Sequence, residues 1–196
     1  MRIIVVGASG MLGRAVVAAL RDAHDVIPVS RRSAVSVDLA DVSSVGRLFT
    51  EVADVDSVVC CAANVPLTPL PELTDAGVAA DVQAKMFGQV SLTLSAAARL
   101  NSGGSIVLTG GTFVTPIRGS SIGALVNTGL SGFVRSAAAE LPRGLRLNLV
   151  SPGWISETLT AMGEDPASGT PVSVVADAYR ALVEGTAQGT TVVPQS

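Results

Sequence analysis

The segment that decides the fold reads Gly7-Ala8-Ser9-Gly10-Met11-Leu12-Gly13, and it follows directly on the apolar run Ile3–Val6. This order predicts a strand, a glycine-rich turn and a helix that begins at Met11. Glycines permit positive φ in the turn and let backbone amides approach a pyrophosphate with no Cβ in the way. The helix start adds unpaired N–H groups and the positive end of its dipole. The segment therefore predicts a phosphate-binding turn whose contacts come from Gly7, Ser9, Gly10, Met11 and Leu12.

Short β-branched runs alternate with longer alanine-rich segments along the rest of the chain. The predicted strands are Ile3–Val6, Val26–Val29, Val35–Val37, Ser57–Cys61, Ser105–Thr109, Arg146–Val150 and Thr190–Val193. The predicted helices are Met11–Arg21, Ser43–Val52, Thr74–Leu100 in one or two pieces, Ala124–Leu141 and Ser173–Glu184. Such alternation implies right-handed βαβ units, so we expect an α/β fold with a doubly wound parallel sheet of about seven strands, of the Rossmann type.

The same pattern bears on domain organisation. We expect residues 1–196 to form a single dinucleotide-binding domain with no separate substrate domain. The stretch Ser156–Pro171 is rich in Gly, Pro, Ser and Thr, and it is predicted to be a mobile surface loop.

The composition narrows the class of protein. Hydrophobic residues make up 48% of the 196 residues and charged residues 15%, which excludes a disordered chain. The net charge of −3 argues against nucleic-acid binding. No apolar run reaches the roughly 18 residues that span a bilayer, so no membrane partner is expected. Cys60 and Cys61 are too few for a disulfide framework or a cysteine-based zinc site, so we expect no metal and a cytoplasmic location.

The choice of cofactor depends on the end of the second predicted strand. Proteins that bind NAD place an acid there, about 20 residues beyond the turn, for the ribose 2′-hydroxyl. This chain has Ser30, Arg31 and Arg32 and no acid, and guanidinium groups fit a 2′-phosphate, so the sequence favours NADP(H) over NAD(H). The other interpretation is a pair of solvated arginines. Asp38, followed by Leu39, either contacts the adenine edge or caps the next turn.

Several further segments resemble the short-chain dehydrogenase/reductase superfamily. Cys61-Ala62-Ala63-Asn64 stands where that family carries Asn-Ala-Gly, and the strand Ser105–Thr109 also matches. The most specific part is Gly132–Leu141 leading into Leu145–Gly153, which is similar almost position for position. The resemblance spans nearly the whole chain. It implies a nicotinamide cofactor, held in part by the Ala62-Ala63 pair, and hydride transfer to or from a carbonyl or alcohol.

The resemblance also identifies what is missing. The family passes a proton from a tyrosine whose pKa is lowered by a lysine four residues later, and it orients the substrate with a serine. Here the tyrosine position falls on Gly123, the lysine position on Asn127, and the serine position on Gly110 or Gly111. The sole tyrosine, Tyr179, lies in the last predicted helix, where we expect it to pack rather than to react.

One exchange suggests a replacement. Lys85-Met86-Phe87-Gly88 stands where the family places an asparagine in its middle helix, while Asn127 stands at the lysine position. We hypothesise that Lys85 supplies the cation and the proton, and that Asn127 holds the cofactor ribose or a bridging water. Thr109 or Thr112 is a candidate for a substrate-facing hydroxyl. The alternative is that Lys85 is a solvated or interface residue and Asn127 a local hydrogen-bonding residue.

The resemblance extends to the end of the sixth predicted strand. There the family's Pro-Gly turn lies against the nicotinamide, which makes Pro152, Gly153, Trp154 and Ile155 cofactor candidates. Alternatively, Trp154 fills a gap beneath the Ser156–Pro171 loop. The alanine-rich helices form subunit interfaces in that family, so a homo-dimer or tetramer is expected.

Two functions follow from these observations. The leading one is an NADP(H)-dependent oxidoreductase that moves a hydride to or from a small-molecule carbonyl or alcohol substrate. The competing one, which the missing tyrosine favours, is a catalytically degenerate protein that binds NADP(H) as a sensor or structural partner.

Overall fold

The computed structural model describes residues 1–195. Its strands are β1 (Arg2–Val6), β2 (Asp25–Val29), β3 (Ser57–Cys60), β4 (Ser105–Thr109), β5 (Arg146–Val150) and β6 (Thr191–Val192). Its α-helices are α1 (Met11–Leu20), α2 (Val42–Glu51), α3 (Asp75–Asp81), α4 (Gly88–Arg99), α5 (Ser121–Ala137), α6 (Ser156–Met162) and α7 (Val172–Glu184). A π-helical segment, Val82–Phe87, joins α3 to α4. None of the helices in this part of the chain is long and apolar enough to cross a membrane.

The strands form one parallel sheet with helices on both faces, which confirms the predicted fold class. The strand order is β2-β1-β3-β4-β5-β6. In β1, Ile4 and Val6 face the layer that contains α2, α4 and α5. Their neighbours Ile3 and Val5 face α1 and α7. Because both faces are covered, the interior positions of the strands are mostly apolar, with Asn148 in β5 as an exception.

The chain reverses its direction of travel across the sheet between β2 and β3. It steps outward from β1 to β2 and then returns to place β3 on the other side of β1. In doubly wound sheets such a reversal opens a crevice at the carboxyl ends of the two central strands. The turn after β1 and the segment after β3 therefore meet at this crevice.

The predicted strand Val35–Val37 is wrong, so the sheet has six strands rather than about seven. Only an isolated bridge joins Ser30 to Ser36. The Ser33 hydroxyl bonds to the backbone of Ser30 and Val35 and so satisfies groups that a strand would pair. Val37 is apolar because its side chain is buried in the core, without strand pairing beyond that bridge.

Two predicted segments differ from the structure in their helical content. The stretch 74–100 is divided into α3, the π segment and α4, which is one piece more than expected. The stretch Ser156–Pro171 contains α6 and a short 3-10 turn, Pro166–Ser168, instead of being wholly irregular. Leu159 anchors α6 in the interior, and Gly163 ends it with a φ of 79°. Apolar anchoring of this kind has no periodic signal in so short a segment.

Tyr179 is fully buried between α7 and the sheet, as its predicted packing role requires. Its hydroxyl lies 2.5 Å from the Thr109 hydroxyl. We expect Tyr179→Phe to lower the free energy of unfolding by about 1 kcal/mol through the lost hydrogen bond. Tyr179→Ala should lower it by about 3–5 kcal/mol because it leaves a cavity. Urea denaturation measures both, and a Phe variant as unstable as the Ala variant would contradict this account.

Candidate cofactor and catalytic site

The turn after β1 is built from two close backbone approaches that only glycine allows. Gly7 has a φ of 83°. A Cβ on Gly7 would lie 2.7 Å from the Ala62 nitrogen, and one on Gly13 would lie 2.1 Å from the Gly7 oxygen. The start of α1 at Gly10 has no side-chain cap, which leaves its first amides without a side-chain acceptor. This set of bare backbone donors fits a pyrophosphate.

A cavity of about 460 Å³, here called the edge cavity, extends from this turn to the end of β2. Its lining brings together many of the predicted cofactor residues, among them the following: Gly7, Ser9, Gly10, Ser30, Arg31, Asp38, Leu39, Ala62, Ala63 and Lys85. Arg32 is exposed and is not part of this lining. Arg31 is exposed as well, and within residues 1–195 neither arginine makes an ion pair.

Asp38 and Ser30 already make local hydrogen bonds. The Asp38 carboxylate accepts from the Ala40 N–H at 3.0 Å, which is the turn-capping interpretation of this residue. The Ser30 hydroxyl accepts from the Arg32 N–H at 3.2 Å. Both side chains remain on the cavity wall, so capping and lining are combined in the same residues.

A second cavity of about 520 Å³, here called the central cavity, lies beyond the carboxyl ends of β4 and β5. The predicted site residues in its lining are Gly10, Met11, Leu12, Lys85, Thr109, Asn127, Pro152, Gly153, Trp154 and Ile155. Lys85 lines both cavities and so stands at their junction. Among residues 1–195, it is the only charged side chain in the lining of the central cavity.

The structure brings Lys85 and Asn127 together from facing helical segments. The Lys85 ammonium donates to the Asn127 Oδ1 at 2.8 Å and to the Gly110 carbonyl at 3.3 Å. Lys85 is 6% exposed, and none of the ion pairs in residues 1–195 includes it. Burial lowers the pKa of Lys85 from 10.5 to about 8. The site thus holds an ammonium group that is hydrogen-bonded only to neutral acceptors.

Two glycines make room for this arrangement. A Cβ on Gly111 would lie 2.9 Å from the Asn127 Nδ2. A Cβ on Gly123 would lie 3.1 Å from the Phe113 Cε2, so the Phe113 ring packs against that backbone. A side chain at Gly111 or Gly123 would therefore meet Asn127 or Phe113, respectively.

The prediction of a substrate-facing hydroxyl at Thr109 needs correction. Thr109 borders the central cavity, but its hydroxyl bonds to the Cys60 carbonyl and to the Tyr179 hydroxyl inside the protein. The Thr112 hydroxyl bonds at 2.9 Å to the Ser151 carbonyl. The strand pattern predicts that Thr109 lies at the carboxyl end of its strand, but it does not predict the direction of the Thr109 hydroxyl.

Trp154 lies on the wall of the central cavity and beside the stretch Ser156–Pro171. It is 36% exposed and lines the central cavity. Its carbonyl also accepts from the Thr170 N–H at 2.9 Å, which ties it to the stretch Ser156–Pro171.

Sequence reasoning missed two features of the site. Lys85 is the only lysine of the chain, the other twelve of its thirteen basic residues being arginines. That count was a usable signal, because a sole lysine in a largely apolar helix is an unusual choice. Gln89 is fully buried and bonds to the Lys85 carbonyl at 3.1 Å, and no sequence pattern pointed to it.

The fold and the glycine-rich turn define a Rossmann-type α/β protein. The family model described as enoyl-(acyl carrier protein) reductase matches residues 3–183. The chain belongs to the short-chain dehydrogenase/reductase superfamily.

Solved structures resemble the chain over almost its full length. The protein lin1944 from Listeria innocua is 34% identical with a TM-score of 0.93, over 98% of each chain. A short-chain dehydrogenase from Burkholderia cenocepacia in complex with NADP is 23% identical, with a TM-score of 0.86 over 99% of this chain and 96% of that one. A small-chain dehydrogenase in complex with NADPH is 21% identical, with a TM-score of 0.85 over 98% of this chain and 95% of that one. A search of curated proteins found no match.

The close approach at Gly13 generates a matched prediction. We expect Gly13→Ala to destabilise the protein by about 1–3 kcal/mol, because its Cβ forces the turn apart. Gly46→Ala is the control: it lies inside α2, and its Cβ would meet nothing within 4 Å. That change should stabilise the protein by about 1 kcal/mol through helix propensity. Thermal unfolding compares the two, and equal effects would contradict the proposed approach.

Proposed function

We propose that the protein is an NADP(H)-dependent oxidoreductase that transfers a hydride to or from a small carbonyl or alcohol substrate. The observation that carries the proposal is the contact of 2.8 Å between Lys85 and Asn127 at the junction of the two cavities. An uncompensated ammonium group in a cleft, with a lowered pKa, is typical of a group that handles protons.

The residues of the edge cavity fit the dinucleotide. The first amides of α1 would hold the pyrophosphate, and Arg31 beside Ser30 would hold the 2′-phosphate. Relatives of the same fold have been solved with NADP and with NADPH. When bound, the nicotinamide supplies the hydride chemistry.

The chain itself handles the proton. In carbonyl reduction, a Lys85 N–H points to the substrate oxygen and gives it a proton as the hydride reaches the carbon, which yields the alcohol and a neutral amine. The amine regains its proton from solvent through the central cavity. In alcohol oxidation the neutral amine accepts the hydroxyl proton. Asn127 accepts one ammonium hydrogen throughout and so fixes the direction of the others.

One observation favours the competing function, a catalytically degenerate NADP(H)-binding sensor or structural protein. In the part of the chain that the structure describes, no phenol lines the central cavity, and the Phe113 ring packs at Gly123 instead. A panel of aldehydes, ketones and quinones discriminates the two functions. Tight NADPH binding with no turnover across the panel would favour the sensor.

We also propose that the protein self-associates as a homo-dimer or tetramer. Three large apolar side chains at the α4 and α5 side of the fold support this: Phe87, Leu94 and Leu125 are 49%, 66% and 58% exposed. Exposed apolar side chains mark an interaction site where they form one contiguous patch.

Arg31 gives a prediction on cofactor choice. Arg31→Ala should weaken NADPH binding by about 10- to 100-fold, through loss of charge-assisted hydrogen bonds, and leave NADH affinity unchanged. Arg32→Ala is the matched comparison and should weaken NADPH binding clearly less than Arg31→Ala does, because Arg32 is not part of the cavity lining. The sole tryptophan, Trp154, lines the central cavity, so energy transfer from it to the reduced nicotinamide measures each affinity. Equal losses of NADPH and NADH affinity in Arg31→Ala would contradict a 2′-phosphate contact.

Lys85 gives the central test of the proposed function. We expect Lys85→Met to lower kcat by about 10²- to 10⁴-fold, the usual contribution of a positioned acid. Lys85→Arg should not restore it, because a guanidinium keeps the charge but does not release its proton. In the wild-type protein, carbonyl reduction requires the protonated amine, so its rate should fall as pH rises through about 8. Alcohol oxidation requires the neutral amine and should rise over the same range. Unchanged kinetics in Lys85→Met would remove Lys85 from the mechanism.

A further inference from the structure

Gln89 lies in the first turn of α4 and is fully buried. Both polar atoms of its side chain are hydrogen-bonded. Its Nε2 donates to the Lys85 carbonyl at 3.1 Å and to the Thr109 carbonyl at 2.9 Å. Its Oε1 accepts from the Thr109 N–H at 2.8 Å. One amide therefore bridges the π segment and the end of β4.

The contact with Thr109 replaces a missing strand partner. β3 pairs with β4 only as far as Val59 and Val107. The next residue beyond Thr109, Gly110, donates its N–H to Val150 on the β5 side. Because neighbouring residues of a strand direct their backbone groups to opposite sides, the Thr109 N–H and carbonyl face the side that β3 has left. The Gln89 amide satisfies both groups there.

The Gln89 amide contacts Lys85 within an unusual stretch of helix. Val82–Phe87 is π-helical, and the Gly88 N–H bonds to the Gln83 carbonyl five residues earlier. A π turn changes the direction in which the following side chains point, relative to a continuous α-helix. The backbone at Lys85 is therefore held in two ways: by the π-helical hydrogen bonds around it and by the bond from the Gln89 amide to its carbonyl.

We propose that Gln89 is a positioning residue for Lys85, whose amide ties the π segment to the carboxyl end of β4 and so aims the ammonium group at Asn127 and the central cavity. The Gly110 carbonyl, just beyond the same strand end, accepts from the Lys85 ammonium. The end of β4 therefore contacts the Lys85 side chain directly and the Lys85 backbone through Gln89. This inference deepens the proposed function and rests on it for the importance of Lys85, but its test does not need turnover.

The sole lysine makes the test direct. Protein labelled with [¹³C,¹⁵N]lysine gives one lysine side-chain signal, whose titration by NMR reports on Lys85 alone. Cys60, on β3, is a titratable group whose charged form would act on Lys85, and burial raises the pKa of that thiol to about 12. Cys60 therefore stays neutral across the range in which Lys85 titrates.

Gln89→Met preserves the size of the side chain and removes all three hydrogen bonds. We expect the titration midpoint of Lys85 to rise by about one unit or more, because the released ammonium group reaches solvent. Gln89→Asn is shorter by one methylene and should give a smaller rise in the same direction. It carries the test if the Met variant does not fold.

Ser57→Ala is the matched control. Ser57 is also fully buried, and its hydroxyl bonds to Ser105 at 2.9 and 2.7 Å, but it lies at the amino end of β3, away from the site. This variant should lose stability and leave the Lys85 titration unchanged.

The outcomes separate the two proposals. Midpoints equal to wild type in both Gln89 variants, with only a loss of stability, would overturn the positioning role. A shifted midpoint together with a fall in kcat larger than the change in KM supports both proposals. A shifted midpoint in a protein that turns over no substrate supports the positioning role and removes the proposed function.

Discussion

The site depends on one constraint: a buried ammonium group that has no carboxylate partner among residues 1–195. Removing a charge from water is costly unless hydrogen bonds replace the lost hydration. Lys85 receives this replacement from two neutral oxygens, those of Asn127 and Gly110. Each of these oxygens needs support of its own. Gly111 leaves the space that the Asn127 amide occupies, and Gln89 holds the strand end that carries the Gly110 carbonyl.

Much of the fold followed from the sequence because its causes are local or periodic. Strands covered on both faces appear in the sequence as short β-branched runs. The turn at residues 7–13 is recognisable by the glycines that its backbone conformation requires. The failures arose where a single contact decided the structure. Val37 is apolar because it is buried, although its N–H bonds to the Ser30 carbonyl at 3.2 Å beside an isolated bridge instead of within a strand. The α6 helix depends on one buried leucine, Leu159, which no periodicity reveals.

The site was accessible to the same reasoning only in part. The resemblance predicted that Lys85 and Asn127 stand at exchanged positions, and the structure brings them within 2.8 Å of each other. It could not predict that Thr109 directs its hydroxyl into the core, since a strand pattern fixes the face of a side chain and not the partner of its oxygen. The π segment was equally hidden. Gln89 connects this segment to Thr109 on β4, whereas helix propensity and periodicity describe only the helix itself.

Burial changes the pKa of an acid and of a base in opposite directions, and this bears on the presence of Lys85 and Asn127 at exchanged positions. Burial disfavours the charged form of any group, so it raises the pKa of a phenol and lowers that of an amine. This chain contains both cases: burial raises the pKa of Tyr179 well above its usual value and lowers that of Lys85 to about 8. A buried tyrosine therefore needs a nearby cation to act as an acid near neutral pH, which is the role of the lysine in the family that the sequence resembles. A buried lysine reaches a useful pKa through burial alone. A neutral residue then suffices beside it, and in the proposed mechanism Asn127 orients the ammonium group without adding a charge that would disturb it.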